Sequence, residues 1–553
     1  VAPVRLKRRE LFQMAGGAFA VRPAMGQPSA QAPRPNIIFI YADDLDFDEI
    51  GVYDPEKYPC YGGAHQAGIP TRPRAWYEDP RMLTPNIDSL ARDGVTFSRF
   101  YVSSAVCTPS RYSLMTGRYA SRSRPFCRLF PPGTAGTIQW NTKLDPAESN
   151  IARELKRAGY ATGIVGKWHL GVGSRDGRVK GVAEDADPFD AEVSKRIRAT
   201  YERNLRYIQD NFGWDYAERI YVNNKEWLGL PTRMAVHNLE WITEGALEFI
   251  GRYHRQPFFL YMPLTLPHGK YNARMLRGDP RFTPAGVLAK APEVMPPRES
   301  VFERVRKEGI DERNAVATWI DDAVGAVMRK LEELGVADNT LLIFASDHAS
   351  RGKYTCYEAA RIPCIARWPQ RIRSPRQIDS ICANVDLALT FLELAGATPP
   401  ADMAQDGVSF ASLLEGRSEP SGGRESLYLE ISNIRGVVTQ KWKYIANRPP
   451  AAAQRAIEED ALEAARTGRL RLVSLDGERN PHRGAAREGV RYGVLYDFPN
   501  YFHHDQLYDL ENDVFEQRNL ACDPSFRGVL SEMKDRLRDH MQDLPHTFGE
   551  FKT

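Results

Sequence analysis

The sequence predicts an α/β protein: a large, mostly parallel (mixed) sheet flanked by helices, then a smaller C-terminal α+β domain on an antiparallel sheet. Two observations carry this expectation. Four continuous apolar runs, each ending in a polar loop, alternate with amphipathic helical stretches, the pattern of strand–helix–strand units with strands buried on both faces. After about residue 420 the apolar runs shorten and turns crowd between them, as in antiparallel strands.

In chain order, "NIIFIYA" (36–42) is the first buried strand and "DDLD" follows it. "ATGIVG" (161–166) precedes "KWHLG", "PFFLYMPL" (257–264) precedes "TLPHGK", and "TLLIFAS" (340–346) precedes "DHAS". The helices "NIARELKRAG" (150–159) and "VATWIDDAVGAVMRKLEELG" (316–335) stop at Gly159 and Gly335, glycine being the usual residue for a left-handed helix end. Beyond 420, "ESLYLEIS", "RGVVTQKWKYIANRP" and "DQLYDLENDVFEQRNLA" read as short strands, and 526–544 as a closing amphipathic helix. Residues 451–471 read as a solvated helical insertion. The expected division is 1–32, 33–420 and 421–553.

Residues 1–32 have the marks of a twin-arginine export signal: Arg8 and Arg9, a short apolar stretch from Leu11 to Val21, and Ala30-Gln31-Ala32 as a cleavage site. The alternative is a disordered basic tail. Export places the protein in the periplasm or outside the cell. No stretch approaches the ~20 apolar residues of a membrane span. A net charge of +3 over 553 residues argues against a nucleic-acid partner. Of seven cysteines, the six other than Cys107 are candidates for pairing in an oxidising compartment or for free buried thiols.

Ligands of such sheets sit beyond the carboxyl ends of the strands, and all four runs deliver ionisable residues there. Asp43 and Asp44 repel each other unless a cation lies between them, and oxygen ligands favour Ca²⁺ or Mg²⁺. Asp347 and His348 supply a further carboxylate and another ligand. Lys167, Lys353 and Arg111 are three fixed cations, and His169 and His268 two titratable rings, on the same rim; Lys270 reads as a bystander. Their natural partner is an anionic group with tightly held negative oxygens. Cys107 opens the stretch "CTPSRYSLMTGRY" with Pro109 suited to a first helical turn. That places the thiol at a helix N-terminus, where anions are attracted and a lowered thiol pKa is expected.

Cys-Thr-Pro-Ser-Arg at 107–111, "TGRY" after it, "GKWHLG" at 166–171, "TPNIDSLARDGVTFSRFY" (84–101) and "QLYDLENDVFEQRNLA" (506–521) stand in order along the chain. With these the sequence resembles the type I sulfatase family of the alkaline-phosphatase superfamily, from about residue 35 to 525. The resemblance implies oxidation of Cys107 to formylglycine by a maturation enzyme, the hydrated aldehyde being the nucleophile. A thiol bearing a sulfuryl group is hard to clear, whereas a gem-diol expels sulfate with its second hydroxyl. It also implies a divalent ion, Ca²⁺ before Mg²⁺, on Asp43, Asp44, Asp347, His348 and the modified Cys107. Arg111 steadies the hydrate, Lys167 and Lys353 neutralise sulfate oxygens, His268 protonates the departing alcohol and His169 assists hydrolysis. Three features depart from the family pattern. His348 replaces a common asparagine, and its nitrogen suits calcium less well than an amide oxygen. Ala349 replaces a glycine, and Ala359-Ala360 replaces a glycine pair, which would be costly if the backbone there has φ > 0.

The expected activity is hydrolysis of a sulfate ester, with a sulfated carbohydrate as the leading substrate. Alternatives are a phosphonate or phosphate monoester hydrolase of the same superfamily and a non-catalytic binder of sulfated glycans. The segments 54–82 and 491–505, with Trp76 and Tyr501, are candidates for a sugar-stacking wall; packing between domains is the alternative.

Overall fold

In the computed structural model the described residues are 34–53, 79, 81–173, 177–269, 272–373, 375–417, 423–449, 451, 454–455 and 498–551. The large sheet is built, in chain order, from β1 (Asn36–Asp43), β2 (Val95–Phe97), β3 (Ala161–Lys167) and β4 (Tyr216–Tyr221). It continues with β5 (Phe258–Pro267), β6 (Thr340–Ser346), β7 (Cys364–Arg367) and β8 (Arg376–Ile378). Their order across the sheet is β8-β2-β7-β6-β1-β5-β3-β4. Only β7 runs against the others, so the sheet is mixed but mostly parallel.

Why β1 is central follows from its side chains. Successive residues of a strand point to opposite faces, and here both faces are apolar. Ile37, Phe39 and Tyr41 join one core with Tyr112, Leu155 and Phe391. Ile38, Ile40 and Ala42 join the other with Ile242, Phe249 and Ile320. The first core is roofed by α2 (Cys107–Thr116), α3 (Ile151–Arg157) and α6 (Asn384–Leu394). The second is roofed by α1 (Pro85–Arg92), α4 (Leu239–Tyr253) and α5 (Ala315–Glu333). Gly117, Gly159 and Gly335 follow α2, α3 and α5 at φ of 66°, 85° and 66°.

The second sheet is antiparallel, in the order β9 (Leu427–Ile431), β10 (Ile434–Val438), β11 (Trp442–Asn447), β12 (Asp505–Asp509). Helix α7 (Arg527–Met541) packs on β10 and β11. Both sheets lie in one compact unit, Arg34–Thr553. Two bonds tie the small sheet to the segments on either side of α2: Glu430 N–H donates to Ser103 O at 2.8 Å, and Ser121 N–H to Glu430 Oε1 at 2.8 Å. The export signal at 1–32 and nearly all of the 451–471 insertion lie outside the described residues. No helix among those described is long and apolar enough to cross a membrane. The six described cysteines are all free thiols.

Candidate active site

Parallel strands with the same polarity bring their carboxyl ends to one edge, and that edge carries the polar cluster. β1 ends on Asp43, and Asp44 then turns the chain at φ 66°. Beside it, Asp347 follows β6; its N–H donates to Ala42 O at 3.0 Å, and its Oδ1 accepts from Asp44 N–H at 3.0 Å. β3 ends on Lys167, and His268 comes directly after β5. Helix α2 starts on Cys107 at the same edge.

Two fully buried cations hold the carboxylates. Lys167 Nζ lies 2.6 and 2.8 Å from the Asp43 oxygens. Arg111 Nη2 donates to Asp43 at 3.1 Å and to Asp347 at 2.8 Å. Burial alone would raise the Asp43 carboxyl, but Lys167, His268 and Arg111 keep it well below the usual range. Asp347 shifts the other way: burial raises it, with His348 opposing. Desolvating ions costs several kcal/mol each, so removing one partner of such a pair costs about 3–5 kcal/mol.

The thiol sits between acid and base. His348 Nε2 is 3.3 Å from Cys107 Sγ and 3.1 Å from Asp44 Oδ1. Asp44 Oδ1 and Lys353 Nζ are each 4.0 Å from the sulfur. Lys353 also grips both Asp44 oxygens, at 2.8 and 3.0 Å. The expected lowering of the Cys107 pKa is not found: burial pushes the thiol well above its ordinary value and outweighs Lys167 and Lys353. An unmodified Cys107 is therefore a neutral thiol at physiological pH.

His268 Nε2 is 3.7 Å from Asp44 Oδ2, and burial lowers the ring's pKa to about 4. His169, at φ 53°, has its Nδ1 buried without a partner among the described residues. Burial, then Lys167 and Arg111, keep that ring neutral. It reaches the cluster through these electrostatic neighbours, its ring making no hydrogen bond among the described residues.

The donor set suits a hard divalent ion. Ligand atoms of Asp43, Asp44 and Asp347 fall within 4.8 Å of one another, as do those of Cys107, Asp347 and His348. Clustered carboxylates of this kind match the oxygen ligands that Ca²⁺ and Mg²⁺ require.

Sequence reasoning missed the parts that hold these groups. Ser110 Oγ donates to Asp347 O at 2.6 Å, and Tyr41 and Asn384 each approach it at 3.0 Å. Arg351, 2% exposed, binds Asp48 and Glu358 and fastens the Lys353 loop. Asn224 Nδ2 lies 3.0 Å from His268 Nε2. Ser110 stands inside the Cys-Thr-Pro-Ser-Arg motif without a role being read from it, and the others have no spacing that marks them in one sequence. Ala359 and Ala360 sit in a 3-10 turn (Glu358–Ala360), and neither has positive φ, so no glycine is needed there. Tyr501, a candidate for the sugar wall, is 2% exposed and belongs to the core. Trp76 and Lys270 lie outside the described residues.

A mixed sheet whose strand ends surround a helix-start cysteine with carboxylates and cations defines a hydrolase of tetrahedral oxyanion esters. Residues 35–397 match the sulfatase family model, and 348–448 match the model of the N-sulphoglucosamine sulphohydrolase C-terminal region. The chain belongs to the sulfatase family and is a sulfuric ester hydrolase. It is 28% identical to an N-acetylgalactosamine-6-O-sulfatase of Bacteroides thetaiotaomicron, over 91% of this chain and 93% of that one. A solved Bacteroides thetaiotaomicron structure, described under metabolism of multiple glycosaminoglycans, has a TM-score of 0.57 at 23% identity over 92% and 99% of the two chains. A phosphonate monoester hydrolase of Agrobacterium radiobacter shares the fold, with a TM-score of 0.54 at 18% identity over 92% and 95%.

Proposed function

We propose that this enzyme removes sulfate from a sulfated carbohydrate, with formylglycine derived from Cys107 as nucleophile and a divalent ion, Ca²⁺ before Mg²⁺, beside it. The observation that carries the reading is the position of Cys107, with His348, Asp44 and Lys353 all within 4.0 Å of its sulfur. The neutral, buried thiol also favours a modified residue over a plain thiolate. The carbohydrate substrate rests on the likeness to an N-acetylgalactosamine-6-O-sulfatase.

Asp43, Asp44, Asp347 and His348 would hold the ion, whose chemistry there is to polarise a sulfate oxygen and the nucleophile. Arg111, held between Asp43 and Asp347, steadies the hydrate of residue 107 in this reading. Lys167 and Lys353 lie where negative charge on sulfate oxygens must be balanced, so they lower the energy of the transition state. His268, 3.7 Å from Asp44 Oδ2, gives a proton to the departing alcohol oxygen in this reading; its ring is neutral in the free enzyme and takes up that proton with the anionic substrate beside it. His169, kept neutral, is available as a base for hydrolysis. Export through the Arg8-Arg9 signal and maturation by a formylglycine-generating enzyme complete the reading.

The test measures sulfate release from N-acetylgalactosamine 6-sulfate beside turnover of a phosphonate monoester. Preference for the sulfate ester supports the reading; turnover of the phosphonate alone overturns it. Mass analysis of the peptide bearing residue 107, from a host with the maturation enzyme, should show a mass below the cysteine form.

A further inference from the structure

The groups gathered around Cys107 differ in how far they meet solvent. Arg111, Lys167, Asp43, Asp347 and His348 are at most 1% exposed, whereas Lys353 and His268 are each 18% exposed. A sulfate ester therefore enters, and its alcohol leaves, past Lys353 and His268. On the Lys353 side stands an aromatic pair. The Tyr354 ring is centred 5.8 Å from Lys353 Nζ, and Trp140 meets that ring at 5.0 Å and 71°, edge to face. Both residues are partly exposed. Tyr354 holds φ 70°, uncommon for a residue with a side chain, and its N–H donates to Ala105 O at 3.1 Å, just before Cys107. Trp140 lies on a segment pinned at both ends. Ile138 O accepts Ser432 N–H at 2.7 Å, and Leu144 N–H donates to Leu170 O at 3.1 Å. The segment thus crosses from the turn between β9 and β10 to the loop that follows Lys167.

Rings fixed in this way beside Lys353 can meet whatever Lys353 holds. Its Nζ is 4.0 Å from Cys107 Sγ. An ester whose sulfate oxygen bonds that ammonium begins its alcohol within about 5 Å of Nζ, in reach of the rings. An aromatic side chain offers a large apolar surface with little freedom to lose, which suits the C–H face of a sugar while the hydroxyls stay in water. We propose that Trp140, held beside Lys353 by Tyr354, packs against the sugar ring of the alcohol and favours a cyclic carbohydrate over an acyclic alkyl group. The inference rests on the sulfated-carbohydrate reading and supplies the wall that buried Tyr501 cannot form.

The experiment measures kcat and KM on N-acetylgalactosamine 6-sulfate for wild type, Trp140→Ala and Trp140→Phe, with inorganic sulfate as competitive inhibitor. Sulfate carries no ring, so its inhibition constant reports Lys353 and the other anion-holding groups without the wall. Trp140→Ala should raise the sugar KM by about tenfold. Its kcat and its sulfate inhibition constant should stay within about threefold of wild type, because the lost contact is made equally before and during reaction. Trp140→Phe, which keeps a ring, should recover part of the KM. If Trp140→Ala does not fold, Trp140→Met, with apolar bulk and no ring, serves in the same comparison. A sulfate inhibition constant that rises in step with the sugar KM would mean that Trp140 only props the Lys353 loop, and would overturn the proposal. An unchanged sugar KM in the folded variant would overturn it as well. Both of those outcomes leave the sulfatase reading standing. A wild type that hydrolyses p-nitrophenyl sulfate but no sugar sulfate overturns the carbohydrate reading and this inference with it.

Discussion

Two of the buried charge clusters in this molecule differ in kind. Where the small sheet meets the 350–358 loop, Lys443 and Glu516 pair one to one, 1% and 2% exposed, and Lys443 also reaches Tyr357 O at 3.4 Å. At the strand ends, three carboxylates face Lys167, Arg111 and Lys353, and the cluster runs outward to His268 and Lys353, each 18% exposed. A buried pair alone is weak grounds for function. The strand-end cluster is marked instead by partners from several elements, a thiol among them, and an edge that meets solvent.

Replacing one small buried thiol in each region gives the sharpest contrast. Cys107→Ala should reduce sulfate ester turnover by on the order of 10⁴-fold or more, since the nucleophile is lost. Cys356→Ala, also at a 2% exposed position or less, should leave turnover within a few fold and cost only about 1 kcal/mol of stability. Similar turnover losses in both variants would erase the distinction.

Lysines extend the comparison. Lys353→Ala should lower kcat by about 10²–10³-fold, as expected when a cation facing developing charge is removed. Its urea unfolding midpoint should move less than that of Lys443→Met, because Asp44 keeps His348 and His268 beside it. Lys443→Met should do the reverse, costing about 3–5 kcal/mol by leaving Glu516 buried and unpaired. The double variant Lys443→Met, Glu516→Met should recover most of that loss. A Lys443→Met protein of unchanged stability would mean that the pair is not held in a dry interior.

The sequence made one of these clusters legible and hid the other. Asp43-Asp44, Lys167 and Asp347-His348 stand at the ends of unbroken apolar runs, so strand pattern and strand end gave both element and residue. Cys107 and Arg111 were legible through a motif with fixed spacing. Lys443 and Glu516 lie in ordinary polar segments, and only tertiary contact brings them together. Asn224 was hidden for the same reason: no periodicity tells which loop asparagine will meet a histidine 44 residues later. The Cys107 pKa was misjudged because a helix start favours the thiolate, whereas the depth of burial, which opposes it, is a property of the fold.

The smallest effect expected concerns acid. On α7, beside the small sheet, His540 Nε2 lies 2.8 Å from Ser426 Oγ, its ring is stacked on Tyr428 at 6.2 Å, and burial with Arg424 and Arg536 lowers its pKa to about 4. An unfolded chain titrates this ring near 6.5. Between those values the unfolded state binds more protons, so stability falls as pH drops from about 6.5 to about 4 and is unaffected above that window. Allowing for partial solvent contact, the loss from this group is about 1–2 kcal/mol. Relative to wild type, His540→Gln should therefore gain stability at pH 5 compared with pH 7.5, read as a difference in urea midpoints. An equal effect at both pH values would show that the ring titrates alike in the folded and unfolded chain, so that burial beside Arg424 and Arg536 does not disfavour its charged form.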